Sequence, residues 1–212
     1  MKLFICTPLH DNRIDYRCMV GYMQTLSKYG PNEVGAGARS GSFLPHLRDI
    51  LTADFLNSKA DYMLCVDSDV AWTVKHLDTL LSHEREFVSG LYARKQPKTG
   101  NEERDYAVAW DGDENSARGP LRKALSVGAG FMLMRRDAVE EMTKAYPDLA
   151  YPGDGIDMKN GAIVGLWSPV SITGKKCSSE DASFCYRWRV LNKTIWVDTR
   201  VKLGHVGDYV YT

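Results

Sequence analysis

The stretch Tyr62-Met63-Leu64-Cys65-Val66-Asp67-Ser68-Asp69 decides how this chain reads. Its apolar half has no polar interruption, as expected of a central parallel strand covered on both faces, and it is too short for a helix of ordinary length. It runs straight into two acids separated by one serine. Residues two apart on an extended chain point to the same side, so Asp67 and Asp69 can aim both carboxylates at one point beyond the strand end. Open α/β sheets bind ligands in the crevice outside the carboxyl ends of their strands, and carboxylates paired there repel one another unless a cation sits between them. Hard oxygen donors with little Cys or His nearby suit Mg²⁺ or Mn²⁺. Asp and Ser also favour plain turns; the unbroken apolar run ahead of them tips the reading toward a metal.

Upstream, Leu3 to Cys6 reads as a strand ended by Thr7-Pro8. A helix from Asp15 to Tyr29 follows, with Tyr16, Met19, Val20, Met23 and Leu26 at helical spacing. Gly30-Pro31 stops it, Glu33 to Gly37 is a short strand, and Pro45 opens a helix through Leu47, Ile50, Leu51 and Phe55. Downstream, a helix over Val74 to Glu84 and a strand over Glu86 to Leu91 precede a Gly-, Asp- and Lys-rich excursion from Gln96 to Arg118. Val127 to Met134 is apolar around Gly128 and Gly130, Asp137 caps a helix to Ala145, and Pro147 to Lys176 reads as loops with one candidate strand. Ser178 or Ser179 caps a helix from Glu180 to Val190, and a strand from Thr194 to Val197 leads to Leu203-Gly204-His205-Val206-Gly207. This alternation predicts an α/β fold with a doubly wound, mainly parallel central sheet flanked by helices.

Composition narrows the function. The 212 residues are 44% hydrophobic and 25% charged, and 27 Lys and Arg cancel 27 Asp and Glu, so no global field favours nucleic acid or an anionic membrane. No apolar run approaches the roughly 20 residues of a membrane span, and the start Met1-Lys2-Leu3-Phe4 is not that of a secretory signal. Five cysteines, an odd number without a Cys-x-x-Cys pair, argue against a disulfide framework or zinc ribbon and for a reducing, cytoplasmic setting. Gly35-Ala36-Gly37 is followed by Ser40 where a dinucleotide fingerprint needs its third glycine.

Two later segments bear on the acidic pair. Ser179-Glu180-Asp181 opens an amphipathic helix, where acids ordinarily serve as caps favoured by the dipole. His205 lies between Gly204 and Gly207, where the backbone can approach a ligand closely. In this order, Thr7-Pro8, Arg39 to Asp49, Asp67-Ser68-Asp69, Gly90-Leu91-Tyr92, Val127 to Phe131, Ser179-Glu180-Asp181 and Gly204-His205 resemble a glycosyltransferase of the GT-A fold, a nucleotide-sugar-dependent family with an Asp-x-Asp motif.

The resemblance implies one domain over 1–212, with a nucleotide-binding half over about 1–95 and a catalytic and acceptor half over about 96–212. It implies that Asp69, with Asp67 and His205, holds Mn²⁺ or Mg²⁺ on the donor diphosphate, with Asp67 alternatively at the ribose. Thr7 and Pro8 would border the nucleoside, Arg39 or Arg48 would meet the base or diphosphate, and Gly128 and Gly130 would make room for the sugar. Asp181, or secondly Glu180, would be the general base of an inverting transfer from a nucleoside diphosphate sugar, a UDP-sugar foremost, to a glycan or glycoprotein acceptor. Short members of this type include capsid-glycan modules of large algal viruses, which makes hexose or a deoxyhexose such as rhamnose a natural donor sugar. Two rivals stand beside it. A haloacid-dehalogenase-type phosphohydrolase also begins from Asp-x-Asp but places it on the first strand, and a non-catalytic nucleotide-sugar-binding protein would not need Asp181.

Overall fold

Strand and helix alternate through the first half of the chain: β1 (Leu3–Leu9), α1 (Tyr16–Tyr29), β2 (Val34–Ser40), α2 (Leu44–Asn57), β3 (Tyr62–Val66), the two-residue β4 (Val70–Ala71), α3 (Val74–Leu81) and β5 (Phe87–Tyr92). Next come β6 (Val108–Trp110), β7 (Leu121–Val127), β8 (Phe131–Arg135), α4 (Arg136–Ala145), β9 (Ala150–Tyr151), β10 (Ile163–Val164), α5 (Glu180–Val190), β11 (Ile195–Val206) and β12 (Val210–Tyr211). This computed structural model describes residues 1–96, 105–112, 119–153, 162–171, 178–207 and 210–211. Much of the excursion from Gln96 to Arg118, part of Pro147 to Lys176, and Cys177 lie outside them.

The main sheet runs in the order β2-β1-β3-β8-β5-β11-β7-β6. The pairings make β2, β1, β3, β5, β11 and β6 run one way, with β8 and β7 against them. Helices cover both faces, so the sheet is doubly wound and mainly parallel. Strand alternation divides the core accordingly. Along β3, Met63 and Cys65 join the cluster under α2, α4 and α5, while Leu64 and Val66 join the one under α1 and α3.

Four details depart from the sequence reading. Helix α1 is present, but its expected apolar stripe faces outward: Tyr16 is 69% and Met23 65% exposed, while Cys18, Gly21, Tyr22 and Thr25 are buried. The cause is close approach. A Cβ on Gly21 would lie 2.2 Å from the indole of the buried Trp72, so only the small-residue face of α1 can dock there. Secondly, β1 continues through Thr7-Pro8, with Pro8 beside Arg39. Its pairing with β3 ends at Cys6, so from there one neighbour suffices and a missing N–H is tolerated. Thirdly, the apolar run from Val127 to Met134 is two strands, β7 and β8, separated by a turn at the glycines. Fourthly, Asp137 lies inside the first turn of α4, whose N-cap is Arg135.

Helix α2 is buried along most of its length because it has cover on two sides. One face packs on β1 and β2, the other under the segment carrying β10 and Trp167. That explains how Asp49 and Thr52 can be buried, since both have partners outside the helix. Asp49 accepts from the Trp167 amide at 3.0 Å and from the Tyr151 hydroxyl at 3.3 Å, and Thr52 accepts from the Trp167 indole at 3.0 Å. Burial pushes the Asp49 carboxyl up to about 7 despite these bonds. Trp72, Trp167 and Trp188 are fully buried core residues.

Candidate functional site

A cleft opens at the carboxyl ends of the parallel strands. Pro8, Leu9 and His10 at the end of β1, Gly41, Ser42, Leu44 and Leu47 around the start of α2, and Asp67, Ser68, Asp69 and His205 line it. Its volume is about 180 Å³, below that of a cleft enclosing a drug-sized ligand, and it is open to solvent.

The fold brings Asp67, Asp69 and His205 together by topology. Beyond Val66 the chain turns, with the Val70 amide donating to the Asp67 carbonyl, and then forms β4. β4 pairs antiparallel with the far end of β11, so His205 lies opposite Val70, and the Val206 amide donates to the Asp69 carbonyl at 2.7 Å. Because the acids stand in a turn rather than an extended strand, they take different partners. Asp67 continues the alternation of Met63 and Cys65 and meets α2: Arg48 Nη2 donates to its Oδ1 at 2.7 Å. Asp69 meets Lys95 Nζ at 2.5 Å from Oδ2, and His205 Nε2 at 3.5 Å from Oδ1.

Arg48 is buried, and among the described residues its Nε has no hydrogen-bond partner, with Glu180 Oε1 3.5 Å away as an ion-pair neighbour. Burial works against its charge, yet Asp67, Cys65 and Glu180 outweigh it and hold the guanidinium firmly protonated. One cation thus joins the turn after β3 to the first turn of α5. Burial, then the neighbouring Asp181, push the Glu180 carboxyl above its usual value, with Arg48 pulling the other way. Asp181 accepts from the Ala182 amide at 2.7 Å and is bonded to the Ser179 hydroxyl, so its carboxylate is engaged within the first turn of α5, whose N-cap is Ser179.

The Asp69 side is more open. Burial would raise its carboxyl, but His205 and Lys95 outweigh burial and hold it below the ordinary carboxylate range. His205 Nδ1 lies 2.8 Å from the Ala93 carbonyl, which can only accept, so Nδ1 carries a proton. The remaining nitrogen, Nε2, then faces the Asp69 oxygen, an arrangement that asks for a proton or a cation between them. A backbone carbonyl orienting the far nitrogen is also how metal-ligating histidines are held. Among the described residues, no three His, Cys, Asp or Glu side chains converge closely enough to hold a metal ion as they stand. Arg48 engages Asp67 and Lys95 engages Asp69. The carboxylate oxygens of Asp69 and Asp67 and the free nitrogen of His205 are donors of the kind a divalent ion takes, but as they stand the two acids are held by these cations.

Other residues named from the sequence have different surroundings. The Thr7 side chain is fully buried and hydrogen-bonded to the Tyr22 hydroxyl, beneath the cleft rather than on its wall. Arg39 forms a forked pair with Asp54 at 2.8 Å on a separate groove beside Phe4 and Ala36. Gly128 and Gly130 make room for Tyr92. A Cβ on Gly128 would meet the Tyr92 hydroxyl at 1.9 Å, and one on Gly130 its ring at 2.9 Å and the Asp67 carboxylate at 3.2 Å. Tyr92 accepts from the Gly130 amide at 3.3 Å and meets the His205 ring edge-on at 5.2 Å, so it braces both sides of the site. Lys95 and the bracing role of Tyr92 had no motif to announce them; Tyr92 ends β5 and Lys95 follows it, both at the carboxyl edge. Burial pushes the free thiols of Cys18, Cys65 and Cys185 up to about 12, which removes them from thiolate chemistry.

The fold is similar to that of the crystal structure of A197 from STIV, with a TM-score of 0.57 at 15% identity over 98% of this chain and 87% of that one. Looser overlaps occur with UDP-glucose pyrophosphorylase in complex with UDP-glucose, with a TM-score of 0.47 at 10% identity over 94% of this chain and 90% of the other. A glycosyltransferase involved in glycosylation of the major capsid of PBCV-1 overlaps at a TM-score of 0.37 and 10% identity, over 70% of this chain and 66% of that one. No protein-family model matches the chain, and no curated protein does. No helix among the described residues is long and apolar enough to cross a membrane.

Proposed function

We propose that this chain is a metal-dependent, inverting glycosyltransferase that moves a hexose or deoxyhexose from a nucleoside diphosphate sugar, a UDP-sugar foremost, to a hydroxyl of a glycan or glycoprotein. The observation that carries the reading is the meeting of Asp67, Asp69 and His205 on one cleft at the carboxyl edge of the sheet, joined through Arg48 to Glu180 at the start of α5. Asp69 and His205, with Asp67, would hold Mn²⁺ or Mg²⁺. When bound, that ion offsets the charge that develops on the departing diphosphate.

The protein's own groups do the rest. A carboxylate of the first turn of α5 accepts the acceptor hydroxyl proton while the oxygen bonds to the anomeric carbon and the bond to the diphosphate breaks on the opposite face. We place Glu180 ahead of Asp181 as the base. Glu180 stands one guanidinium away from Asp67 and its carboxyl is raised above its usual value, while Asp181 is engaged by its own helix. Arg48 fixes both Asp67 and Glu180, and Tyr92 holds the turn at Gly130 against them. A cytoplasmic setting is part of the same proposal.

Thermal-shift measurements across a panel of nucleotide sugars, with and without Mn²⁺, test the reading, because a ligand that binds the native state alone raises its stability. A metal-dependent rise with one donor class is expected. Absence of any rise across the panel would count against transfer from nucleotide sugars.

A further inference from the structure

The ammonium of Lys95 stands 2.5 Å from Asp69 Oδ2, at the carboxylate through which the proposed metal would be held. Its side chain is 36% exposed and that of Asp69 37%, so the pair lies at the mouth of the cleft, within reach of an incoming anion. A lysine is a point charge on a flexible stem and can exchange one anion for another without disturbing the backbone. Arg48, 4% exposed and held between Asp67 and Glu180, has no such freedom.

We propose that Lys95 is a diphosphate-binding residue that, before either ligand binds, occupies the cation position at Asp69, so that metal and nucleotide bind cooperatively. This rests on the metal-dependent transfer proposed above. A divalent ion arriving alone must displace Lys95 from Asp69 against like-charge repulsion. A diphosphate draws the ammonium to its own oxygens and frees the carboxylate for the ion. By linkage, the ion then favours the diphosphate by the same factor. His205 is placed to assist, since its Nδ1 is tied to Ala93 and its Nε2 already faces Asp69.

Titrations of Mn²⁺ alone, followed by electron paramagnetic resonance, and of UDP without metal, followed by calorimetry, test this on wild type, Lys95→Met and Lys95→Arg. Lys95→Met is expected to bind Mn²⁺ alone roughly 2- to 5-fold tighter than wild type, the scale of one partly exposed ion pair. It should bind metal-free UDP weaker by a similar factor, and UDP should tighten its Mn²⁺ binding less than it does in wild type. Lys95→Arg, which keeps the charge, should follow wild type. An unchanged or weakened Mn²⁺ affinity in Lys95→Met overturns the role of Lys95 while leaving the metal reading intact, since wild type with UDP still takes up the ion. If wild type takes up no Mn²⁺ even with UDP, the metal reading itself fails and the role of Lys95 fails with it.

Discussion

Asp67 and Asp69 are two residues apart and chemically identical, yet the protein treats them differently. Asp67 is answered by a guanidinium that is 4% exposed and shared with Glu180. Asp69 is answered by an ammonium at the cleft mouth and by one nitrogen of His205. The difference teaches that residue type and spacing do not set the role of an acidic pair; the burial of the partner does. Removing one member of a buried ion pair strands the other charge, whereas an exposed pair can be exchanged at small cost.

The sharpest way to break the comparison is at the far end of the buried side. Glu180→Gln is expected to lower turnover by about 10²- to 10⁴-fold, the range of a lost general base, with nucleotide binding retained. Asp181→Asn should cost less, and a larger loss in Asp181→Asn than in Glu180→Gln, measured in the same assay, would reverse their order. Next, Arg48→Met leaves Asp67 and Glu180 facing one another without their cation. Urea unfolding should show a loss of about 3–5 kcal/mol. A loss below about 1 kcal/mol would mean that this side is as exchangeable as the other.

Gly128→Ala drives a methyl group into the Tyr92 hydroxyl, and overpacking of this kind costs about 1–3 kcal/mol. Pairing it with Tyr92→Phe, which shortens the obstacle, should recover part of that loss in a double-mutant cycle. The smallest effect belongs to the open side. Asp69→Asn should change unfolding stability by less than about 1 kcal/mol while abolishing any Mn²⁺-dependent thermal shift. A large destabilisation by Asp69→Asn would erase the contrast with Asp67.

Local signals in the sequence were enough for β3, for the alternation that makes the sheet doubly wound, and for the helix opening at Glu180. They also named Asp67, Asp69 and His205, which the fold places on one cleft. What they could not supply was any fact that depends on a partner far along the chain. The stripe of Tyr16, Met19, Val20 and Met23 has helical period but the wrong face, because the steric demand of Trp72, fifty-one positions beyond Gly21 in the numbering, selects the small-residue side. Gly128 and Gly130 advertise space without saying for what, and the occupant, Tyr92, comes from another strand. Asp67 and Asp69 were expected to share one target on the logic of an extended chain. The turn that begins at Asp67 separates their partners, and those come from α2 and from beyond β5.

Strand β11 lies between β5 and β7 in the sheet and also carries His205 to the edge of β4. During synthesis, the acidic turn leaves the ribosome long before this ribbon does. Until residues 195–206 emerge, β5 has an unsatisfied border and β7 lacks its inner neighbour. An unfinished chain therefore carries the two carboxylates without the imidazole, and it exposes a sticky edge that would invite association with other nascent chains.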